Sequence, residues 1–310
     1  MKGIVLPDRM IAHDQPCYII AEAGVNHNGD LTLAKKMVDV AAKAGADAVK
    51  FQTFKTEEII LKKAPKAQYH IETTGRNSVQ SWFDLLKSQE MDQKMHEQLI
   101  QYCEQQGVQF LSTPYDRTSI DLLDKLNVPM FKVASTDANN LPFLRYLASK
   151  GRPIILSTAM STLIEIVESV EEIRTAGVKE LVVLQCTGSY PSKPDQANIR
   201  AMKTIAETCD VAVGYSDHVL GNIAAIVAIA QGACVYEKHF TMDRELPGPD
   251  HRASLEPIEL KELIRVIREA ESMLGDGRKR IMLGEVDNRK KLRKFIVAKK
   301  KNSTGRNFLG

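Results

Sequence analysis

The chain has 310 residues, of which 44% are hydrophobic and 26% are charged, and its formal net charge is +3. This composition excludes a disordered or fibrous protein, and the longest apolar stretch, 223–230, is far shorter than the roughly 20 residues of a membrane-spanning helix. The first residues lack the apolar block of a secretory signal, so we expect a cytoplasmic protein without a membrane partner.

The positive charge is concentrated near the C-terminus, where eight Lys or Arg and no acidic residue fall between Arg289 and Lys301. A basic tail can bind polyanions. No zinc-finger, helix-turn-helix or aromatic RNA-binding pattern accompanies it, so we expect no nucleic-acid partner. The five cysteines form no close pair, which indicates reduced thiols rather than disulfides or a thiolate zinc site.

Apolar β-rich runs alternate eight times with stretches of helical period. The predicted strands are Tyr18 to Ala23, Ala48 to Gln52, Val108 to Ser112, Met130 to Ala134, Pro153 to Ser157, Leu181 to Gln185, Val211 to Gly214 and Cys234 to Lys238. The predicted helices are Leu31 to Ala44, Met91 to Gln106, Ser119 to Leu126, Leu141 to Ser149, Leu163 to Ala176, Ile199 to Glu207, Ile223 to Ala230 and Pro257 to Leu274. Eight alternations predict an α/β protein with a (β/α)8 TIM barrel after a short N-terminal segment.

A doubly wound open sheet is the alternative fold. Its dinucleotide-binding form is disfavoured because no Gly-x-Gly-x-x-Gly follows the first predicted strand. The one long connection runs from Thr53 to Glu90 and contains Gly75, Asn77 and Trp82. Long insertions after barrel strands usually belong to the active-site face, so this segment is a candidate lid over substrate.

Two lysines lie within apolar predicted strands, Lys50 and Lys132. An unpaired buried ammonium group is costly, so each needs an anionic partner. Taken singly, each lysine fits a structural ion pair, and a Schiff-base role is a further alternative. Catalytic groups of a TIM barrel come from the C-terminal ends of the strands, and the two lysines together favour a phosphate or carboxylate pocket there. Other polar groups at these ends are Thr113, Ser135, Asp137, Ser157 and Ser216.

Two histidines follow the last two predicted strands, His218 and His239. Adjacent parallel strands bring both imidazoles to the same rim of the barrel. One strand-end histidine is most simply a hydrogen-bonding residue, but the pair favours a divalent ion with open positions for water and substrate, which suits Mn²⁺ or Mg²⁺. Asp250 is a candidate further ligand or substrate contact.

Glu22 ends the first predicted strand and is followed by Asn26, His27 and Asn28. A carboxylate opposite lysines is suited to proton transfer or to accepting a hydrogen bond from a sugar hydroxyl. It is equally suited to neutralising Lys50, and spacing alone leaves both roles open.

Several segments, taken together and in order over about residues 15–290, resemble the sialic acid synthase family, the NeuB-type synthases that make N-acetylneuraminate and related nonulosonates. They are AEAGVNHNGD at 21, DAVKFQTF at 47, FLSTPYD at 110, MFKVAS at 130, RPIILSTAM at 152, CTGSYP at 186, GYSDH at 214, EKHFT at 237 and GPDH at 248. The resemblance implies condensation of phosphoenolpyruvate with an N-acylated mannosamine-type sugar, assisted by Mn²⁺ or Mg²⁺, in a homodimer. The expected products are a nine-carbon α-keto acid and phosphate.

The resemblance also implies roles for individual residues. His218 and His239 match the metal ligands of the family, and Glu22 is the best candidate for proton transfer. Positions that match the family's phosphoenolpyruvate site are Lys50, Lys132, Thr113, Ser135, Ser157, Tyr190 and Ser216. Positions that match its acceptor-sugar site are Glu22, Gln52, Asn77 and Asp250.

Two departures from the family pattern stand out. Gly188 replaces the Asn or Ser that often follows Cys-Thr in the sixth-strand motif, so one polar contact is missing or is supplied by Ser189. Family members usually carry a C-terminal antifreeze-like domain that supplies an arginine to the sugar. We expect residues 1–285 to form the barrel and 286–310 to form a basic linker and only the start of that domain, and so expect a stable barrel with poor turnover alone.

Two alternatives remain at this point. The first is a phosphoenolpyruvate-dependent synthase that makes a keto-deoxy sugar acid from an aldose phosphate, which needs a second phosphate site. The second is a non-catalytic barrel, inactivated by loss of the cap. The complete set of Glu22, two lysines and two histidines argues against the second.

Overall fold

The computed structural model describes residues 3–64 and 81–297. The chain divides into two compact units, Met1–Met273 and Leu274–Gly310. The domain boundary that the sequence suggests, after residue 285, stays a prediction.

The first unit contains a small antiparallel hairpin, β1 (Ile4–Val5) and β2 (Met10–Ile11), which the sequence analysis left as an opening segment. Eight further strands form one sheet in the hydrogen-bonded order β5-β4-β3-β10-β9-β8-β7-β6. They are β3 (Tyr18–Gly24), β4 (Ala48–Thr53), β5 (Gln109–Pro114), β6 (Phe131–Val133), β7 (Ile154–Ser157), β8 (Leu181–Cys186), β9 (Ala212–Asp217) and β10 (Val235–His239).

The paired strands of this sheet are all parallel. The two strands at the ends of the order, β5 and β6, contact each other without forming a ladder, so the sheet curls into a nearly closed barrel. The predicted (β/α)8 barrel is therefore confirmed, and the open doubly wound sheet is wrong.

Helices follow the barrel strands. They are α1 (Leu31–Ala44), α2 (Thr56–Ile59), α3 (Trp82–Gln89), α4 (Gln93–Gln106), α5 (Arg117–Lys125), α6 (Leu141–Ala148), α7 (Leu163–Thr175), α8 (Ala201–Cys209), α9 (Ile223–Ala230) and α10 (Pro257–Leu274). Local sequence explains their ends: Asp30 caps α1 by accepting from the Thr32 amide, and Gly45 ends it in the left-handed conformation at φ 89°.

Two hydrophobic layers hold the first unit together. The larger lies between the strands and the helices, where α1 contributes Ala34, Met37, Val38 and Ala41 at helical spacing. The smaller fills the barrel interior near the N-terminal ends of the strands. Ile4, Leu6 and Ile11 of the hairpin segment join this inner layer, so the hairpin packs against the bottom of the barrel and leaves the opposite end for the site.

In the second unit, the described part contains a 3₁₀ turn, Leu283–Glu285, and helix α11 (Val286–Leu292). Among the described residues of the whole chain, no helix combines the length and the apolar character that crossing a membrane requires.

Candidate active site

A cavity of about 1010 Å³ opens at the C-terminal ends of the barrel strands. Every predicted site residue in the described part of the chain lines it, namely Glu22, Lys50, Gln52, Thr113, Lys132, Ser135, Asp137, Ser157, Tyr190, Ser216, His218, His239 and Asp250. Asn77 lies outside the described residues. The strand-end positions therefore converge as a parallel barrel requires.

Lys50 projects into the cavity from β4. Its ammonium lies 2.7 Å from Oε2 of Glu22 and 3.6 Å from the Glu237 carboxylate, and it donates to the Thr113 hydroxyl at 3.0 Å. Burial alone would lower the pKa of this lysine, but the two carboxylates outweigh burial and raise it. Lys50 is therefore a fixed positive charge.

Lys132 projects from β6, where Val133 and Ser157 are its hydrogen-bond partners. It donates to Oγ of Ser157 at 2.7 Å and to the Val133 carbonyl at 3.2 Å, and its nearest carboxylate oxygen, in Glu237, is 3.5 Å away. Burial lowers its pKa and the positive charge of Lys50 adds to the fall, which outweighs the opposing effect of Glu237 and Glu22. Lys132 thus has the greater need of an added anion.

Glu237 is the central carboxylate of the site, and the sequence analysis did not assign it a role. It faces both lysines and accepts from the Ser216 hydroxyl at 3.0 Å. Burial raises its pKa, but Lys132 and Lys50 outweigh burial and lower it. A usable signal was present, because Glu237 and His239 are two residues apart on one strand and therefore share a face.

The pKa of Glu22 is shifted in the opposite direction from that of Glu237, although both side chains are buried. Burial raises the pKa of Glu22, Lys50 opposes this, and the neighbouring charge of Glu237 adds to the rise, so the pKa stays above its usual range. A carboxyl group with a raised pKa keeps its proton up to a higher pH, closer to neutrality, than a solvated carboxyl group does. The ion pair with Lys50 also shows that the neutralising role left open by the sequence is real.

The two histidines lie side by side on the rim, with ring centroids 5.6 Å apart, and the Tyr190 ring packs 3.9 Å from that of His218. Nδ1 of His218 donates to the Thr187 carbonyl at 2.7 Å, which leaves Nε2 with a free lone pair. Nδ1 of His239 is buried and has no hydrogen-bond partner among the residues that the structure describes. Burial lowers the pKa of both imidazoles, so both rings are neutral and suited to donate a lone pair to a metal ion.

This donor set fits a divalent cation. A metal-binding histidine typically donates its other ring N–H to a carbonyl, as His218 does. Within the described ranges, no group of three or more His, Cys, Asp and Glu is arranged to hold a metal ion. Two histidines would thus leave the remaining coordination positions to water and substrate.

Asp250 reaches the cavity from the loop after β10, and Asn26 holds that loop. Nδ2 of Asn26 donates to the Phe240 carbonyl at 2.9 Å and to Oγ of Ser254 at 3.0 Å, and Ser254 in turn donates to the Asp250 carbonyl at 2.7 Å. Burial raises the pKa of Asp250 to about 6. The motif after β3 therefore supports the loop that carries Asp250.

One wall of the cavity is apolar. It is formed by Val25, Phe54, Ile59, Ile60, Trp82 and Leu86, which belong to one hydrophobic cluster. Helices α2 and α3 of the long connection supply three of these side chains. The expected location of this connection at the active-site face is thus confirmed for its described parts, and a role as a lid stays a prediction. Residues 65–80, including Gly75, lie outside the described residues.

The profile of the NeuB family matches residues 37–279. An N,N'-diacetyllegionaminic acid synthase from Campylobacter jejuni is 44% identical over 94% of this chain and 87% of its own length. The N-acetylneuraminate-9-phosphate synthase of Homo sapiens is 37% identical over 96% of this chain and 82% of its own length. The chain belongs to the NeuB family.

The solved structures agree with this membership. The N-acetylneuraminic acid synthetase of Leptospira borgpetersenii, determined in complex with citrate, superimposes with a TM-score of 0.80 and is 32% identical. The match covers 95% of this chain and 98% of that one. This chain therefore shares its barrel fold with a solved sialic acid synthetase.

Proposed function

We propose that this NeuB family member condenses phosphoenolpyruvate with an N-acylated mannosamine-type sugar to give a nine-carbon α-keto acid and inorganic phosphate. The observation that carries the proposal is the convergence of Lys50 and Lys132 with His218 and His239 on one cavity. The lysines suit an anionic substrate, and the neutral imidazoles suit a cation beside it. The relatives named as synthases of legionaminate and neuraminate 9-phosphate support the same reaction class.

The lysines hold the anionic substrate in a buried site. Lys132 already donates to Ser157, and Lys50 to Thr113, so their ammonium groups are fixed before substrate arrives. Fixed charges in a water-poor cavity stabilise developing charge more than the same charges do in water. Ser135, Ser216 and Tyr190 line the same cavity and supply further hydroxyl groups to the phosphate or carboxylate.

His218 and His239 would hold Mn²⁺ or Mg²⁺, which when bound would polarise the aldehyde oxygen of the open-chain acceptor. Carbon 3 of phosphoenolpyruvate then bonds to the aldehyde carbon. Positive charge develops at carbon 2, and water adds to that carbon. Loss of phosphate from carbon 2 breaks the C–O bond and leaves the keto group.

The aldehyde oxygen takes up one proton in this reaction. The attacking water gives up two: the first, on addition to carbon 2, balances the proton at the aldehyde oxygen, and the second, on formation of the keto group, leaves with the phosphate. Glu22 is suited to this exchange because its raised pKa lets it hold a proton near neutral pH. Gln52 lies beside it, with Nε2 3.5 Å from Oε1 of Glu22, and Asp250 lines the same cavity. We assign these three side chains to the acceptor sugar.

The test is a phosphate-release assay with phosphoenolpyruvate, Mn²⁺ and a panel of free N-acyl hexosamines, with the keto acid identified by mass spectrometry. Release that requires both substrates is the expected result. A parallel panel of aldose phosphates tests the keto-deoxy sugar acid alternative, and turnover only in that panel would replace the proposal. No acceptor-dependent release in either panel would favour a non-catalytic barrel.

Glu22→Gln is the informative variant because it removes the proton but keeps the shape of the side chain. We expect it to bind phosphoenolpyruvate and to lose turnover.

A homodimer and a cytoplasmic location stay predictions.

A further inference from the structure

A buried ion pair lies directly behind the two histidines. Nζ of Lys238 is 2.5 Å from Oδ2 of Asp217, and the two side chains are 4% and 0% exposed. The residues are direct partners across the β9–β10 ladder. Neither lines the cavity, whereas Ser216, Glu237 and the two histidines do, as strand alternation requires.

The hydrogen bonds of this pair go to the backbone that follows His218. Nζ of Lys238 donates to the carbonyl of Val219 and, at 3.5 Å, to that of Gly221. Oδ1 of Asp217 accepts from the Val219 amide at 2.8 Å. Oδ2 of Asp217 also accepts from the Tyr236 hydroxyl. Together, the two side chains hold both polar backbone groups of the residue after His218.

His218 itself is therefore held from two sides. Its ring is fixed by the Thr187 carbonyl, and its own carbonyl accepts from the Ser192 amide at 2.8 Å. The Lys238–Asp217 pair fixes the chain on the other side, at 219–221.

A purely stabilising role explains the pair poorly. Well-packed apolar residues stabilise a core about as well as a buried ion pair, because desolvation offsets most of the attraction. The bonds made here instead determine the path of one short segment. Conformational specificity of that segment is the property that apolar residues would not supply.

We propose that Lys238 and Asp217 are positioning residues that set the backbone after His218 and so aim its imidazole at the cation shared with His239. This inference rests on the proposed function, since it concerns the same cation site. It adds two residues that do not touch substrate or cation, and whose effect passes through His218.

The test measures Mn²⁺ affinity of the full chain by electron paramagnetic resonance of free Mn²⁺, and phosphoenolpyruvate affinity by calorimetry without metal. Lys238→Met alone leaves the Asp217 carboxylate buried and unpaired and can prevent folding, so the main variant is Asp217→Asn with Lys238→Met, which leaves no orphan charge. We expect Mn²⁺ affinity to fall about 10- to 100-fold, as for other residues that orient metal ligands. Metal-free phosphoenolpyruvate affinity should stay within about twofold, since Lys50 and Lys132 are untouched.

The matched control is Asp47→Asn, which removes a carboxylate paired with Arg9 and Arg268 just before the start of β4, at the opposite end of the barrel. It should lower Tm and leave Mn²⁺ affinity unchanged.

His218→Ala separates the possible failures. If His218→Ala weakens Mn²⁺ binding and the Asp217/Lys238 double variant does not, the positioning inference is overturned and the metal site stands. If His218→Ala binds Mn²⁺ as tightly as the unchanged chain, the metal site falls and the positioning inference falls with it. A double variant that does not fold under conditions where Asp47→Asn folds would show that the pair is structural, which also overturns the inference.

Discussion

The carboxylate of Glu22 and the ammonium of Lys50 form an ion pair of 2.7 Å, with only 2% and 5% of their side chains exposed. A carboxylate of the chain itself thus pairs closely with one of the two lysines. An arriving anion must share Lys50 with Glu22 or displace it, whereas Lys132 has its carboxylate partner at 3.5 Å. The two lysines are therefore unequal before substrate binds.

We expect Lys132→Met to weaken phosphoenolpyruvate binding by about 2 to 5 kcal/mol, the range found when a buried charge pair is broken. Lys50→Met should act in the same direction and, because it leaves Glu22 unpaired, should also lower Tm. Both changes should weaken phosphoenolpyruvate binding more than acceptor binding. Calorimetry is the measurement, and Lys55→Met, at a side chain 38% exposed beside Glu90, is the control. Unchanged affinity in both strand variants would refute the anion role.

Chelation should reveal the proposed metal site. We expect EDTA to abolish turnover and Mn²⁺ to restore it, because the two neutral imidazoles of His218 and His239 have lone pairs available to a cation. Steady-state phosphate release is the measurement. Full activity in a variant with both His218→Ala and His239→Ala would contradict the assignment.

Acid should destabilise the fold through His27. Burial lowers its pKa from 6.5 to about 4, so the unfolded chain takes up a proton between these pH values while the folded chain does not. Stability from this group is present above about pH 6.5 and is lost as the pH falls towards 4, by up to about 3 kcal/mol. Urea unfolding across this range should show a shallower pH dependence for His27→Asn.

His13 provides the control for that experiment, because its side chain is 74% exposed. His13→Asn should follow the pH dependence of the unchanged chain. Other buried histidines, such as His96 and His251, titrate in all three proteins, so the difference isolates His27. Parallel curves for His27→Asn and the unchanged chain would contradict the prediction.

Asn26 should affect acceptor binding at a distance. Replacing it with Ala removes the donors to Phe240 and Ser254 that hold the loop carrying Asp250. We expect a higher KM for the sugar with an unchanged KM for phosphoenolpyruvate, and a loss of about 1 to 3 kcal/mol in unfolding free energy. Ser254→Ala, which removes the bond to the Asp250 carbonyl, should give a smaller shift of the same kind. Equal changes in both KM values would show a general loss of structure instead.

The barrel was predictable because near-continuous apolar runs, each followed by a helical pattern, leave few alternatives to parallel strands covered by helices. The hairpin of Ile4–Val5 and Met10–Ile11 was not, since two-residue strands carry no period and are held by tertiary packing. Predicted helix ends also differ from the observed ones by a few residues. Helix α8 begins at Ala201 rather than at the predicted Ile199, because side chains before the first turn follow no helical period.

The site was predictable where polar residues interrupt apolar strands, as at Lys50 and Lys132. Glu237 and the Lys238–Asp217 pair were not distinguished, because three charged or polar residues in a row at a strand end do not reveal which of them face the cavity. Strand alternation decides it only once one residue, such as His239, is known to point inward. The support of Asp250 by Asn26 spans 224 positions and has no local signature.

If the proposed function holds, the hairpin packed against the bottom of the barrel affects the order in which the two substrates bind. Because Ile4, Leu6 and Ile11 fill that end, we expect both substrates to enter from the end where the cavity opens, at the C-terminal ends of the strands. We expect the anion, held by lysines on the strands themselves, to lie deeper than a sugar that reaches the loop residue Asp250. We therefore expect the two substrates to bind in a fixed order, with phosphoenolpyruvate first and the acceptor second.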